Sequence, residues 1–460
     1  MSATSAAPTA KKSVHPLAVR DFRLLWIGGS ISLLGDQFYM IALPWLVLQL
    51  TGSALALGTV LALGSIPRAL FMVLGGAAVD RTSPRLIMFL SNFARMVLVA
   101  LLAVIVLTNS IQLWMLYAIA LALGTADAFF FPAENAIIPA LLQSEQLEMG
   151  NTLMQGMNML SMFIGPVIAG VVIALLAGAT TNTTPSAEGI GIAFAFDSLS
   201  FVASLIGLSL IRQRKAQSAS KKEDVITAIK AGVAFVWKSE VMRMIFVLLV
   251  AVNFFVTGPF GVGIPVLASR NFPEGAAAYG ILMSAYGGGA LLGIILAGVL
   301  PKPRPTRFGA VLLIVTSLLG VGMMVLPFSE STLVAALVSL AMGTTMGYVN
   351  IYMMTWLQRR VPEALMGRVM SLIMFASMGI APVSSAVAGV ILNVNLELLF
   401  VGAGALMAVI TLISLVMPPV RQMGLEVEEL EKKQTIAEIL RDTSELPALR
   451  STGSMPAIRL

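Results

Sequence analysis

The sequence of 460 residues contains no cysteine and a single histidine. Without cysteine the chain has no disulfide, no thiolate nucleophile and no thiolate metal site, and one histidine leaves no cluster of metal ligands. The sequence also lacks a glycine-rich loop followed by Lys-Ser or Lys-Thr, so ATP hydrolysis is not indicated. We therefore expect a protein that is not an enzyme and that has no cofactor.

Charged residues are scarce and apolar residues are abundant. Asp, Glu, Lys and Arg make up 11% of the chain, against about 25% in soluble domains, while 58% of the chain is hydrophobic. The 40 glycines suit closely packed membrane helices. Residues 1–19 are polar and have no apolar core, so we expect no cleavable signal. This composition is that of an integral membrane protein.

Apolar runs of ~20 residues, the length needed to cross ~30 Å of hydrocarbon, recur along the chain. We count twelve, joined mostly by short loops. They cover residues 23–49, 55–79, 86–108, 112–140, 149–178, 190–211, 241–268, 277–300, 308–327, 332–357, 366–392 and 397–417. The sequence therefore predicts an all-α membrane protein with twelve transmembrane helices.

The basic residues are distributed unevenly across the predicted spans. Of 29 Lys and Arg residues, 26 fall on one side of the membrane. Arg270 falls in a loop on the other side, and Arg68 and Arg95 lie inside spans. Because basic loops stay in the cytoplasm, we expect a multi-pass protein of the plasma (inner) membrane with both termini cytoplasmic. The net charge of +6 reflects this asymmetry and does not indicate nucleic-acid binding.

The chain repeats itself at a shift of 222 residues. Gly58 to Gly76 lines up with Gly280 to Gly298, and the same shift places Arg85 on Arg307. The repeat predicts two parallel bundles of six helices, a frame suited to alternating access. The predicted divisions are a cytoplasmic tail at 1–21, a first bundle at 22–211, a basic linker with an amphipathic helix at 212–240, a second bundle at 241–417 and a cytoplasmic tail at 418–460.

A short charged turn joins the second and third predicted spans. It contains Gly76, Asp80, Arg81 and Arg85. Glycine lets a neighbouring helix approach closely, and Asp80 can accept hydrogen bonds from the start of the next helix or pair with a base. The turn is therefore a candidate cytoplasmic gating latch, although an ordinary turn that anchors two spans fits it as well.

Across residues 20–417 the chain resembles the major facilitator superfamily. Gly76, Asp80, Arg81 and Arg85 are similar to the superfamily's signature between spans two and three, although Ser83 and Pro84 stand where the pattern has a further glycine and a further base. The macrolide-efflux and enterobactin-exporter branch is suggested by three further stretches. They are Arg20 to Trp26, Gly35 to Leu46 with Thr51-Gly-Ser, and Val361 to Ser371.

A second signature lies in the fifth span and resembles the Gly-Pro motif of the superfamily's exporters. It comprises Ser161, Gly165, Pro166 and Gly170. Small residues and a proline let the helix pack tightly and bend against its neighbours. The resemblance implies export, and the alternative is a helix that is kinked and tightly packed for structural reasons alone.

Charges inside a membrane are costly and usually functional. The first half contains five candidates for proton coupling, whereas the second half has only Asn253 and Asn350 at comparable depth. The five are Asp36, Asp127, Glu134, Arg68 and Arg95. Since the resemblance implies that spans one and four line the cavity, we interpret Asp36 and Asp127 as the protonatable pair and the arginines as their partners. The alternative is a set of static ion pairs.

A further acid, Asp197, is predicted a turn or two below the outer surface, where it is as suited to holding spans together as to carrying protons.

For the substrate, the resemblance implies that spans one, four, seven and ten face the cavity. Its candidate lining is Phe38, Tyr39, Phe131, Asn253, Phe254, Tyr348 and Asn350. Such a surface suits a bulky, mostly apolar molecule, unless these side chains face lipid or pack within a bundle.

The sequence thus predicts a monomeric secondary transporter that uses the proton gradient to export hydrophobic or amphipathic compounds. Its expected partners are a small-molecule substrate and membrane lipid, with no nucleic acid. The alternatives are an exporter of one metabolite such as a siderophore, a lipid-handling flippase, or a non-transporting receptor or scaffold on the same frame.

Overall fold

A computed structural model describes residues 15–177, 187–212 and 225–420, together with residues 422, 423 and 425. Most of both predicted tails and part of the predicted linker lie outside these residues. The described residues form fourteen α-helices and no strand. The helices are α1 (Arg20–Thr51), α2 (Ala54–Arg81), α3 (Pro84–Leu107), α4 (Leu113–Leu141), α5 (Leu147–Ala177), α6 (Ala187–Leu210), α7 (Val225–Lys238), α8 (Glu240–Gly258), α9 (Ile264–Asn271), α10 (Ala276–Val299), α11 (Phe308–Val325), α12 (Thr332–Arg360), α13 (Glu363–Leu392) and α14 (Leu396–Leu415).

Twelve helical units in the described chain are long and apolar enough to cross a membrane, as predicted. Eleven contain one α-helix each, and two of these are extended by short 3₁₀ turns. The seventh consists of α8 and α9 joined by a π-helical turn at Pro259–Gly263. The short helix α7 lies before it, where the sequence predicts an amphipathic stretch.

Polar caps fix the tight turns between spans. Gly52 ends α1 in the left-handed conformation, with φ of 60°, which glycine adopts without strain. The Ser53 hydroxyl then accepts a hydrogen bond from the Ala56 amide at the start of α2. Two residues therefore suffice to reverse the chain.

The spans form two six-helix bundles with the same internal arrangement. In the first bundle α2 packs on α4, and α3 packs on α6. The corresponding helices of the second bundle, α10 with α12 and α11 with α14, pack in the same way. The internal repeat of the sequence is therefore also a repeat of structure.

The two bundles meet through α2 with α13 and through α5 with α10. We call the membrane face that carries Arg81, Arg304 and Arg360 the basic face, and the opposite face the far face. The close approaches lie toward the far face: a methyl group added at Gly58 would lie 2.5 Å from the Ser385 carbonyl oxygen, and one at Gly170 would lie 2.5 Å from that of Ala276.

Toward the basic face the bundles separate. A methyl group added at Gly76, Gly156 or Gly367 would have no neighbouring atom within 4 Å. The structure is thus closed at the far face, and a gap between the bundles opens toward the basic face.

Candidate functional site: an ion-pair network and an apolar slot

Four of the five proton-coupling candidates come together in one network. The Arg95 guanidinium lies 2.6 Å from Asp36 Oδ1 through Nη2 and 3.2 Å from Asp127 Oδ1 through Nε. The other oxygen of Asp127 pairs with Arg68. Because these residues belong to α1, α2, α3 and α4, the network ties together four helices of one bundle.

The network is buried at its centre and open at its ends. The side chains of Arg95 and Asp127 are 12% and 13% exposed, whereas those of Asp36 and Arg68 are 30% and 34% exposed. Arg68 Nε has no hydrogen-bond partner in the described part of the chain. One acid and one base are therefore partly accessible, and each pairs with a buried residue at the centre: Asp36 with Arg95, and Arg68 with Asp127.

Aromatic rings surround both arginines. The Arg95 guanidinium carbon lies 5.2 Å from the ring centroid of Phe130 and 4.6 Å from that of Phe201. That of Arg68 lies 5.6 Å from the centroid of Phe131. These distances suit cation–π attraction. Phe131, predicted to line the substrate cavity, thus contacts the network.

The remaining acids lie outside these ion pairs. Glu134 has no ion pair within 4.0 Å among the described residues. Asp197 lies ten residues into α6, which begins at Ala187, and ten residues of helix span about 15 Å. Its Oδ1 atom is buried without a hydrogen-bond partner in the described chain. A methyl group added at Gly35 on α1 would lie 2.8 Å from that oxygen.

The predicted exporter motif lies where α5 meets both α1 and α10. The Ser161 hydroxyl donates to the Leu33 carbonyl oxygen at 2.8 Å. A methyl group at Gly165 would lie 2.4 Å from Gln37 Cγ, and one at Gly170 would lie 3.0 Å from Gly280 Cα. Next to Pro166, the Val167 amide donates to the Ser284 hydroxyl across the bundles at 2.8 Å.

The predicted gating turn is arranged differently from the expectation at two positions. The close helix approach occurs at Gly75, where an added methyl group would lie 2.3 Å from the Ala128 carbonyl oxygen, and Gly76 has open space. Arg85 caps the end of α6, with Nε donating to Leu208 O at 2.6 Å and Nη2 to Ser209 O at 2.7 Å. Arg81 is exposed, and the Asp80 side chain is outside the described part of the structure.

A cavity of about 290 Å³ lies inside the second bundle, and we call it the C-bundle slot. Its walls are almost entirely apolar and come mainly from α8, α11, α12 and α13. Asn253 and Asn350, two predicted cavity residues, line it together with Thr345 and Thr411. It also contains methionines that the sequence reasoning did not single out: Met346, Met353, Met354, Met370 and Met423.

The other predicted cavity residues do not line the slot. The ring centroid of Phe38 lies 4.4 Å from that of Phe196 on α6, and the ring of Tyr39 lies 5.9 Å from that of Phe194. The ring centroids of Tyr348 and Tyr352 lie 4.8 Å apart, with the rings tilted by 54°. The rings of Phe254 and Phe255 lie 5.3 Å apart on α8. The predicted set is therefore divided between the two bundles.

Twelve spans in two repeated six-helix bundles, with intramembrane charges in one bundle and an apolar slot in the other, define a membrane transporter of the major facilitator type. A family profile described as "Transmembrane secretion effector" matches residues 11–445. The chain belongs to this family.

Curated relatives and solved structures agree with this class. The multidrug efflux pump Tap of Mycolicibacterium fortuitum is 25% identical over 402 residues, which cover 85% of this chain and 94% of Tap. Macrolide efflux protein A of Streptococcus pyogenes is 23% identical over 417 residues, 88% of this chain and 98% of that protein.

Among solved structures, the nucleoside transporter NupG has a TM-score of 0.65 at 12% identity, over 90% of this chain and 99% of NupG. A bacterial homologue of the iron transporter ferroportin has a TM-score of 0.63 at 15% identity, over 86% and 99% of the two chains. At these identities the likeness concerns the fold.

Proposed function

We propose that this transporter exports hydrophobic or amphipathic compounds of the multidrug or macrolide type in exchange for protons, by alternating access. The observation that carries the proposal is the network of Asp36, Arg95, Asp127 and Arg68 inside the first bundle. Buried charges of this kind are costly unless they are paired or functional. The names of Tap and macrolide efflux protein A support an efflux role.

We place the protein in the plasma membrane. In the proposed orientation the basic face and both termini are on the cytoplasmic side. The enrichment of Lys and Arg on that face supports this orientation. The gap between the bundles then opens to the cytoplasm, from which an exporter must collect its substrate.

In the proposed coupling, Asp36 is the acid that exchanges protons with the gap. It is the more exposed of the two acids, and its one ion pair among the described residues is with Arg95. A proton on Asp36 neutralises its carboxylate and weakens the contact to Arg95, which stays paired with Asp127. The link between α1 and α3 then differs between the protonated and deprotonated states, and this difference favours the conformation that is open to one side of the membrane.

Compound accumulation in cells tests the proposal. Cells that express the chain should accumulate less of at least one compound from a panel of macrolides, lipophilic cations and siderophores, and a protonophore should abolish the difference. A response to a siderophore alone would favour a dedicated metabolite exporter. No difference for any compound would contradict the proposed export.

Asp36→Asn removes the exchangeable proton with little change in volume. We expect the variant to be present in the membrane at the normal level and to lose proton-driven export. The matched control is Glu148→Gln, an exposed acid at the basic face, which should export normally. Full proton-driven export by Asp36→Asn would remove Asp36 from the mechanism.

A further inference from the structure

One pair of helices packs differently in the two bundles. In the first bundle α1 lies directly against α6: a methyl group at Gly28 would be 3.0 Å from the Ala203 carbonyl oxygen, and one at Gly207 would be 2.8 Å from that of Leu24. The corresponding pair in the second bundle is α8 and α14. Residues 240–257 of α8 contain no glycine, and a crevice lies between α8 and α14. Val247 of α8 and Ile413 of α14 line it and are 55% and 54% exposed, as expected of apolar side chains that contact lipid.

This crevice leads toward the C-bundle slot. Leu248 of α8 lines both the crevice and the slot. On α14, Ser414 lines the crevice and Thr411, one turn away, lines the slot. The slot is therefore separated from the hydrocarbon of the bilayer by a wall about one side chain thick.

The slot has the shape of a channel. Along α11 its lining runs from Gly309 to Leu319, which corresponds to about 15 Å of helix. A cavity of about 290 Å³ that extends over this length is narrow. It suits an extended hydrocarbon chain better than a macrocyclic ring, and its methionines can adjust to a flexible chain.

The mouth of the crevice carries one charge of each sign. Glu240 and Arg243 both line it at the start of α8, which is the depth of lipid headgroups. Both are exposed, and neither forms an ion pair within 4.0 Å with another described residue. An arginine can bind a phosphate and a glutamate can bind an ammonium group, so the pair complements a zwitterionic headgroup.

We propose that a zwitterionic phospholipid from the leaflet at the basic face inserts one hydrocarbon chain into the C-bundle slot, between α8 and α14, with its headgroup at Glu240 and Arg243. The site is distinct from the proposed proton-coupled export and does not depend on it. The bound chain fills space that the protein's own side chains leave empty, which stabilises the second bundle.

Trp356 provides a probe inside the protein. It is 1% exposed, its indole donates to the Met423 carbonyl oxygen at 2.9 Å, and both Met423 and the adjacent Leu357 line the slot. With Trp26, Trp45, Trp114 and Trp237 replaced by phenylalanine, tryptophan fluorescence reports Trp356 alone. Phosphatidylethanolamine with a brominated chain, reconstituted with the protein, should quench it, and brominated phosphatidylglycerol should quench it less.

Leu249→Phe places a larger side chain in the slot and should abolish this quenching. The matched control, Leu412→Phe, lies on the lipid-facing side of α14, where Leu412 is 51% exposed, and should keep it. Arg243→Gln should reduce the preference for phosphatidylethanolamine. Equal quenching in Leu249→Phe and the control would overturn the proposal. Quenching that tetraphenylphosphonium fully relieves would also overturn it and assign the slot to a transported compound.

Native mass spectrometry of the unsubstituted chain gives a second readout that requires no folding of a variant. The protein should retain phosphatidylethanolamine in preference to phosphatidylglycerol when it is extracted from a membrane containing both. Retention of neither lipid, or of both equally, would contradict the proposed site.

Discussion

At the scale of single residues, Arg95 is the centre of the ion-pair network. It contacts both Asp36 and Asp127, and the rings of Phe130 and Phe201 cover its guanidinium. A buried charge that loses its partner is more costly than a buried pair. Arg95 therefore holds two acids that would otherwise destabilise the first bundle.

Arg95→Gln should accordingly destabilise the protein by about 3–5 kcal/mol, because it leaves a half-buried and a buried carboxylate with less compensation. Arg95→Gln combined with Asp36→Asn should recover part of that loss, since one of the two uncompensated charges is removed with the base. Thermal unfolding of the purified variants in one detergent measures both effects. Strictly additive effects in this double-mutant cycle would contradict direct coupling of the pair.

The sequence allows the prediction that these charges form ion pairs with one another, but it does not show which acid pairs with which arginine. A lone charge such as Asp36 in an apolar span requires a partner, so its neighbours could be limited to Arg68 and Arg95. The pairing depends on how each helix is rotated about its axis relative to its neighbours, which the spacing along one helix does not determine. The rotation of α1 also decides the surroundings of Phe38. Phe38 was assigned to the substrate cavity from the sequence, and in the structure its ring packs on Phe196.

At the scale of helices, the contact of α5 with α10 closes the far face. Pro166 cannot donate a hydrogen bond, and the amide that follows it, Val167, donates to the Ser284 hydroxyl of the other bundle. Nearby, Gly170 and Gly280 lie in close backbone contact. The predicted exporter motif is thus part of the seam between the two bundles at the far face.

Ser284→Ala should weaken this seam. Loss of one hydrogen bond costs about 1 kcal/mol, which shifts an equilibrium between closed and open forms about fivefold. Spin labels on cysteines introduced at Ser110 and Asn393, on the far face of the two bundles, should show a larger population at long distances. The control is Ser30→Ala, because the Ser30 hydroxyl donates to Trp26 O of its own helix and to no other group in the described chain; it should leave the distances unchanged. An unchanged distribution in Ser284→Ala would exclude a role in the seam.

The helices themselves were largely predictable, since apolar length alone indicates a span. The break in the seventh span was missed, although Gly258, Pro259, Gly261 and Gly263 are the residues at which a π-helical turn is easily accommodated. The role of Arg85 was also missed. Its partners are backbone carbonyls at the end of α6, and any helix end offers such groups, so residue type gives no signal for the contact.

At the scale of the whole molecule, the described structure keeps the charge asymmetry of the sequence. Arg81 and Arg360, at the ends of α2 and α12, lie on the same face as Arg304 in the loop before α11, and Ser110 and Asn393 lie on the other face. Because the natural chain has no cysteine, a cysteine introduced by substitution is its single reactive thiol.

A membrane-impermeant maleimide should therefore label Ser110→Cys in intact cells and Thr306→Cys only after the cells are permeabilised. This outcome follows from the positive-inside rule applied to the basic face. Labelling of Thr306→Cys in intact cells would reverse the proposed orientation, and the unsubstituted chain, which has no thiol, is the control.

The two bundles repeat one fold but have different contents. The charges at mid-membrane depth, among them Asp36 and Arg95, lie in the first bundle, whereas the second holds the apolar slot with Asn253 and Asn350. Substitutions that reshape the slot leave the ion pairs untouched. Over evolutionary time the two halves of the gene can therefore vary independently: changes in the second half can alter the volume and lining of the slot while the first half keeps its ion pairs.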